Sequence, residues 1–222
     1  MKHGGISNRC VVDLKWVDSE TVTAENVADK LSGVNGILVP GGFGDRGIEG
    51  MLHAIRYARE NKIPYLGLCL GMQLSIVEFA RNVIGYNDAH SIELDPSTTH
   101  PVIALMPDQN DVEDIGGTLR LGSYPCVLDK DSKAYQLYGD ETIHERHRHR
   151  YEVNNDYRTV LTEHGMKLSG LSPDGRIVEM CELPAHPFFV ATQAHPELKS
   201  RPNRPHPLFR GFVTAALEHK TN

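Results

Sequence analysis

Cys69 stands in Gly67-Leu68-Cys69-Leu70-Gly71, a sulfur nucleophile with a glycine two residues away on each side. This is the form of a nucleophile elbow, in which small neighbours allow a strained strand-to-helix turn that lifts a reactive side chain above a sheet. A thiol held there lies close to the free amide N–H groups and positive dipole end of the following helix, and both favour the thiolate. The N–H of Leu70 is also placed to donate to an oxyanion. Cys10, Cys126 and Cys181 have no such setting and read as core thiols. With no Cys-x-x-Cys pair among the four cysteines, reduced thiols are expected rather than a disulfide framework.

A cysteine that attacks an amide needs a base held by a third group. Of twelve histidines, four precede proline: His100, His186, His195 and His206. Two residues further on stand Val102, Phe188, Glu197 and Leu208, so His195 alone of the four has a carboxylate there, in Gln193-Ala194-His195-Pro196-Glu197. In extended backbone, positions i and i+2 project to one side, which would let Glu197 reach the imidazole nitrogen turned away from the thiol. A second oxyanion donor must come from another strand end. Pro40-Gly41-Gly42-Phe43-Gly44 offers glycines that let backbone approach a substrate. That loop lacks the Gly-Lys-Ser/Thr ending of a phosphate cradle and does not match Gly-x-Gly-x-x-Gly. In residues 146–150, Arg146, Arg148 and Arg150 read as an exposed basic strand with His147 and His149 on its other side. A metal site from His144, His147 and His149 has weak support, because no Cys or acidic ligand pattern accompanies them.

The elements that must position these groups follow from periodicity. Residues 10–17 alternate like a strand, and 24, 27, 28 and 31 place a helix over 23–31. A short strand at 36–39, a helix at 48–61, a strand at 63–68 and a helix at 70–80 follow, so Cys69 falls at a strand-to-helix turn. Residues 85–107 read as loop around one strand at 102–105. The second half reads as short strands at 118–121, 124–128, 170–172, 177–183 and 188–193, with a closing amphipathic helix at 207–219. The expected fold is α/β: an open, mostly parallel sheet flanked by helices, with additional antiparallel strands. Catalytic loops then gather at the carboxyl ends of the parallel strands.

The 222 residues carry a net charge of −6, which argues against a nucleic-acid or membrane surface and for a small-molecule substrate. No apolar run approaches the roughly 20 residues of a membrane span. The first residues lack the apolar stretch of a signal peptide, so a cytoplasmic protein is expected. One domain over 1–222 is expected, with no repeat or linker to divide it.

Residues 40–47, 67–73, 146–155 and His195-Pro196-Glu197 together resemble the class I glutamine amidotransferases, and among them the glutaminase domains of CTP synthases. Gly-x-Cys-x-Gly with a distant His-Pro-Glu is similar to the wider class. The run Arg146-His147-Arg148-His149-Arg150-Tyr151-Glu152-Val153-Asn154-Asn155 and the segment 116–122 resemble the CTP synthase branch specifically. The resemblance implies a flavodoxin-like fold and catalytic roles for Cys69, His195 and Glu197. It implies that Gly42 joins the oxyanion hole, that Leu70, Gly71, Met72 and Gln73 line the glutamine site, that Glu93 holds the substrate ammonium and that Arg150 lies by its carboxylate. It further implies hydrolysis of L-glutamine to glutamate and ammonia, with no cofactor in this domain. The ammonia would pass to a synthetase (amidoligase) domain of the same polypeptide, a carbon–nitrogen ligase that uses ATP and Mg to convert UTP to CTP in pyrimidine biosynthesis. GTP would activate, and homo-oligomers would form through that other domain. The family's first strand and its synthetase half are expected to be absent from residues 1–222. The rival readings are a stand-alone γ-glutamyl hydrolase-like enzyme, against which the Arg-His run argues, and a catalytically idle regulatory domain.

Overall fold

The computed structural model describes residues 1–105 and 119–221. The expected strand start at Thr118, and Gly116 and Gly117 of the CTP-synthase-like segment, lie outside the described residues. Helices α1 (Lys2–Ser7), α2 (Val27–Lys30), α3 (Ile48–Glu60), α4 (Leu70–Phe79), α5 (Lys133–Tyr138), α6 (Arg158–Glu163) and α7 (Pro207–Thr221) flank the strands. The strands are β1 (Ile37–Val39), β2 (Tyr65–Leu68), β3 (His90–Ser91), β4 (Pro101–Ala104), β5 (Arg120–Leu128), β6 (Thr142–His149), β7 (Glu152–Val153), β8 (Lys167–Leu171), β9 (Val178–Glu182) and β10 (Phe189–Thr192).

Among the described residues the main sheet has seven strands in the order β1-β2-β10-β9-β8-β5-β6, and β3-β4-β7 form a small second sheet. In the main sheet only β1, β2 and β10 run parallel to one another, in the registers Val39↔Gly67 and Leu68↔Thr192. From β10 through β9, β8 and β5 to β6 every pairing is antiparallel. The sheet is therefore mixed, with its parallel part confined to the three strands that end near Cys69.

Alternation along the strands feeds two cores. Tyr65, Phe189, Ala191 and Cys181 face one cluster with α3 and α4, while Leu66, Leu68, Val190 and Met180 face the other with Leu208, Phe209 and Phe212 of α7. Helix α3 buries Ile48, Leu52, Ile55 and Ala58 at spacings of four and three, one apolar stripe. Helix α4 is different, since all ten of its residues are buried. Its acidic residue, Glu78, is fully buried and accepts from Arg59 of α3 at 2.9 and 2.7 Å, a forked carboxylate–guanidinium contact that ties the two helices together.

The structure corrects three expectations. Residues 10–17 belong to no strand ladder among the described residues, and Val11 and Trp16 are exposed. Alternation marked the segment as extended, but a strand also needs a partner. The helix expected over 23–31 shrinks to α2, and residues 24–26 form a turn in which Asn26 Oδ1 accepts from the Thr23 N–H and its Nδ2 donates to the Thr21 carbonyl. The separate runs 118–121 and 124–128 merge into β5, with Gly122 at φ 112° between them. Of the expected core thiols, Cys126 and Cys181 are buried and Cys10 only partly so.

Arg59→Ala strands the buried Glu78 carboxylate and is expected to cost about 3–5 kcal/mol, whereas Arg56→Ala, which removes an exposed pair with Glu60, costs less than about 1 kcal/mol. Urea midpoints of the two variants check the contrast.

Candidate active site

At the end of β2 the chain turns sharply. Cys69 has φ 51° and ψ −103°, a positive φ that costs strain in a residue with a Cβ. The turn is held by the Cys69 N–H donating to the Thr192 carbonyl at 2.8 Å. Both flanking glycines are required by crowding. A Cβ on Gly67 would lie 2.8 Å from the Gly71 carbonyl oxygen, and one on Gly71 would lie 2.2 Å from that of Val39. Helix α4 begins at the next residue, so the Leu70 N–H has no acceptor within the helix.

His195 arrives from β10, whose register beside β2 sets residue 193 onward against the elbow. Its N–H donates to the Arg146 carbonyl at 2.8 Å, fixing the backbone to the middle of β6. Nδ1 lies 2.6 Å from Glu197 Oε1. The pairing was expected from extended backbone, but the structure makes it through a short turn, Pro196–Leu198, that folds Glu197 back under the ring. Nε2 is buried and makes no hydrogen bond of full geometry. The Cys69 sulfur is nonetheless the largest influence on the ring: it and then Glu197 push the imidazole up from 6.5 to about 10, against the effect of burial. Catalytic contacts are commonly loose without substrate and tighten around it. Gly41 covers the pair, since a Cβ there would lie 2.9 Å from His195 Cε1 and 3.4 Å from Cys69 Cβ.

A cleft of about 260 Å³ opens beside the thiol, lined by Gly42, Leu70, Gln73, Glu93 and Arg150 among others. Its size suits one amino acid better than a nucleotide. Burial raises the Glu93 carboxyl above its usual range and the Arg150 charge partly opposes this, so an acidic and a basic group share the cleft with the sulfur. Gly71 and Met72 are placed elsewhere: Gly71 presses on Val39, and Met72 is fully buried in the core behind the helix. Thus Cys69, Gly42, Leu70, Gln73, Glu93 and Arg150 line one cleft, His195 lies with Cys69 under Gly41, Glu197 supports the ring from behind, and Gly71 and Met72 contribute no side chain to the lining.

Strand β6 alternates exposed and buried over its whole length, so Arg146 and Arg148 face out while Glu145, His147 and His149 face in. The Arg148 guanidinium stacks 5.4 Å from the Phe43 ring centre at the mouth of the cleft. His144 lies on the outer face, so it does not converge with His147 and His149. Burial pushes His147 down to about 3 and His149 down as well, which keeps both rings neutral. Behind them Arg120 bridges Glu152 at 3.3 Å and Glu179 at 2.8 Å. Sequence reasoning missed two members of the site. Gln193, fully buried, has its amide nitrogen 3.6 Å from Cys69 Sγ, and the Tyr151 carbonyl anchors Gln73. The signal for Gln193 was its place two residues before His195, the same face of the strand end.

The chain matches the family model described as "Glutamine amidotransferase class-I" over residues 1–215. It is 61% identical over 220 residues to the CTP synthase of Clostridium perfringens strain 13, and 57% identical over 218 residues to that of Bacillus subtilis strain 168. These alignments take in 99% and 98% of this chain but 41% of each relative, so the chain spans about two fifths of their length. Among solved structures, the glutaminase domain of Trypanosoma brucei CTPS with bound acivicin superposes with TM-score 0.92 at 38% identity, covering 98% of this chain and 85% of that one. A glutamine amido transferase from Methylobacillus flagellatus has TM-score 0.55 at 12% identity, covering 99% and 83%, and shares the fold.

The raised imidazole fixes the sign of a pH effect. Its contribution to stability is complete at pH 6.5, persists down to the range where Glu197 protonates, and is lost as pH rises through about 10. Urea midpoints of the parent and of His195→Gln are therefore expected to differ most below about pH 6.5 and above the range where Glu197 protonates, and to converge above about pH 10.

Proposed function

This chain belongs to the class I glutamine amidotransferases, in the branch of CTP synthase glutaminase domains, and we propose that its cleft hydrolyses the side-chain amide of L-glutamine. The observation that carries the reading is the strained Cys69 elbow set beside His195 by adjacent parallel strands. Cys69 Sγ attacks the amide carbon, a C–S bond forms, and the carbonyl π pair moves to oxygen. The N–H groups of Gly42 and Leu70 receive that oxyanion. Collapse breaks the C–N bond as His195 Nε2 delivers its proton to the leaving nitrogen, releasing ammonia. Water then gives a proton to His195 and adds to the thioester, and the C–S bond breaks to return the thiolate and glutamate. Glu197 keeps His195 in the tautomer that presents Nε2 to the sulfur.

Specificity follows from the two charges in the cleft. A free amino acid presents an ammonium and a carboxylate, so Glu93 and Arg150 distinguish glutamine from a peptide amide. The ammonium also relieves the burial that holds the Glu93 carboxyl above its usual range. The chain's share of the CTP synthases it matches supports a larger reading. In the whole protein the ammonia passes to a synthetase domain of the same polypeptide. That domain, with ATP and Mg, aminates UTP to CTP, GTP activates the glutaminase, and copies of the protein assemble through it. No cofactor takes part in the glutaminase step.

In the whole protein, Cys69→Ser is expected to lower glutamine-dependent CTP formation by at least about 10³-fold while ammonia-dependent formation persists. Glutamine hydrolysis surviving that change would remove Cys69 from the mechanism. Arg150→Ala is expected to raise KM for glutamine about ten- to hundredfold with kcat less affected, the loss of one charge-assisted contact in steady-state kinetics.

A further inference from the structure

The sulfur of Cys69 has a second polar neighbour that the amidase scheme does not use. Gln193 is fully buried, and its Nε2 lies 3.6 Å from Sγ. Which end of that carboxamide faces the sulfur is decided by a chain of partners. The Tyr151 carbonyl can only accept, so the Gln73 group 3.0 Å from it must be the NH₂. The same nitrogen lies 3.2 Å from the Gln193 side chain, so the Gln193 atom there must be its oxygen. Turning either amide would set two donors or two acceptors against each other. The only end left for the sulfur is the Gln193 NH₂. The Gln193 backbone is fixed as well, because its N–H donates to the Glu179 carbonyl at 2.9 Å.

We propose that Gln193 is a catalytic donor to the Cys69 sulfur, locked in its donating orientation by Gln73 and Tyr151. The inference rests on the glutaminase reading and adds a group to it. A donor to the charged form favours the thiolate over the thiol, as it does for any buried anion. It therefore raises the share of nucleophile before attack. It acts again when water opens the thioester: the C–S bond breaks, the electron pair returns to sulfur, and a stabilised thiolate leaves faster. In the thioester itself the sulfur is neutral and a weak acceptor, so the donor gains most at the two ends of the cycle. His195, Glu93, Arg148, His149 and Arg150 also face Cys69 or its cleft, so the test compares variants at one pH rather than reading a single titration.

The test is the rate of iodoacetamide alkylation at Cys69, measured at neutral pH in the whole protein on the Cys69 peptide by mass, so that the partly exposed Cys10 is not counted. Gln193→Leu removes the donor and is expected to slow alkylation about three- to tenfold, a modest share of a charge-assisted hydrogen bond. Gln193→Glu keeps the volume and places a carboxylate beside the sulfur, so it is expected to be slower than Gln193→Leu. Both variants are expected to accumulate the Cys69 thioester of glutamate, seen by quenched mass spectrometry during turnover. Alkylation in both variants within twofold of the parent overturns the proposal, as does Gln193→Glu reacting like the parent while Gln193→Leu is slow, since packing alone would then explain the loss. Alkylation does not use glutamine, so failure here is separate from failure of the glutaminase reading, which would appear as absent glutamine hydrolysis in the parent.

Discussion

The candidate site depends on one constraint, the parallel registration of three short strands. Val39 pairs with Gly67 and Leu68 with Thr192, so three segments far apart in sequence end at the same level of the sheet. What leaves those ends is the Gly41–Gly42 loop, the Cys69 elbow and the stretch from Gln193 to Glu197. A one-residue slip in either pairing would turn every side chain of a strand to the opposite core and separate sulfur from imidazole. All four residues of β10 are buried, as are all four of β2, so both cores resist such a slip. The remaining strands of the main sheet are antiparallel and serve another purpose. They carry β6 to the site, where the Arg146 carbonyl receives the His195 N–H and Arg150 follows the strand's end at the cleft.

Much of this was legible in the sequence because the signals are local. Glycines on both sides of Cys69 announce crowding, and the structure puts carbonyl oxygens where their side chains would be. The alternation of arginine and histidine over residues 146–150 announces a strand with a charged face, and the structure extends it back to Thr142 and ends it at His149. The parts that were not legible depend on distant partners. Residues 10–17 have strand-like alternation without a ladder, and the helical spacing over 23–31 is realised as a turn at 24–26 followed by the short α2. The Glu197 contact was anticipated from the wrong backbone, since a turn and an extended segment can both bring i+2 back to i. Gln193 went unseen because its meaning lies in Gln73 and Tyr151, 120 and 42 residues away in sequence, and no periodicity encodes an amide's orientation.

The electrostatics divide in the same way as the strands. The outer face of β6 is cationic and wet, and Arg148 lies over Phe43 at the mouth of the cleft. The inner face is dry, its two histidines are neutral, and Arg120 is shared by two carboxylates whose burial raises both. Glu145 forms a second inner hub, accepting from Tyr138 at 3.1 Å and lying 2.9 Å from His206 Nε2. These clusters lie close behind His195 and bear on its surroundings without touching a reacting atom.

Helix α4 has no face turned to water. It begins at the nucleophile, fills the space between α3 and the sheet, and fastens its one carboxylate to Arg59. Most helices have a solvent side on which mutations accumulate at little cost, and that side lets a lineage drift. This one has none, so nearly every substitution in it alters packing or leaves a buried charge without its counterion. Its ten positions should be among the slowest to change over evolutionary time, for reasons of volume as much as of chemistry, and a survey of variation that equates constancy with catalysis would credit residues such as Leu74 and Ile76 with a role they do not have.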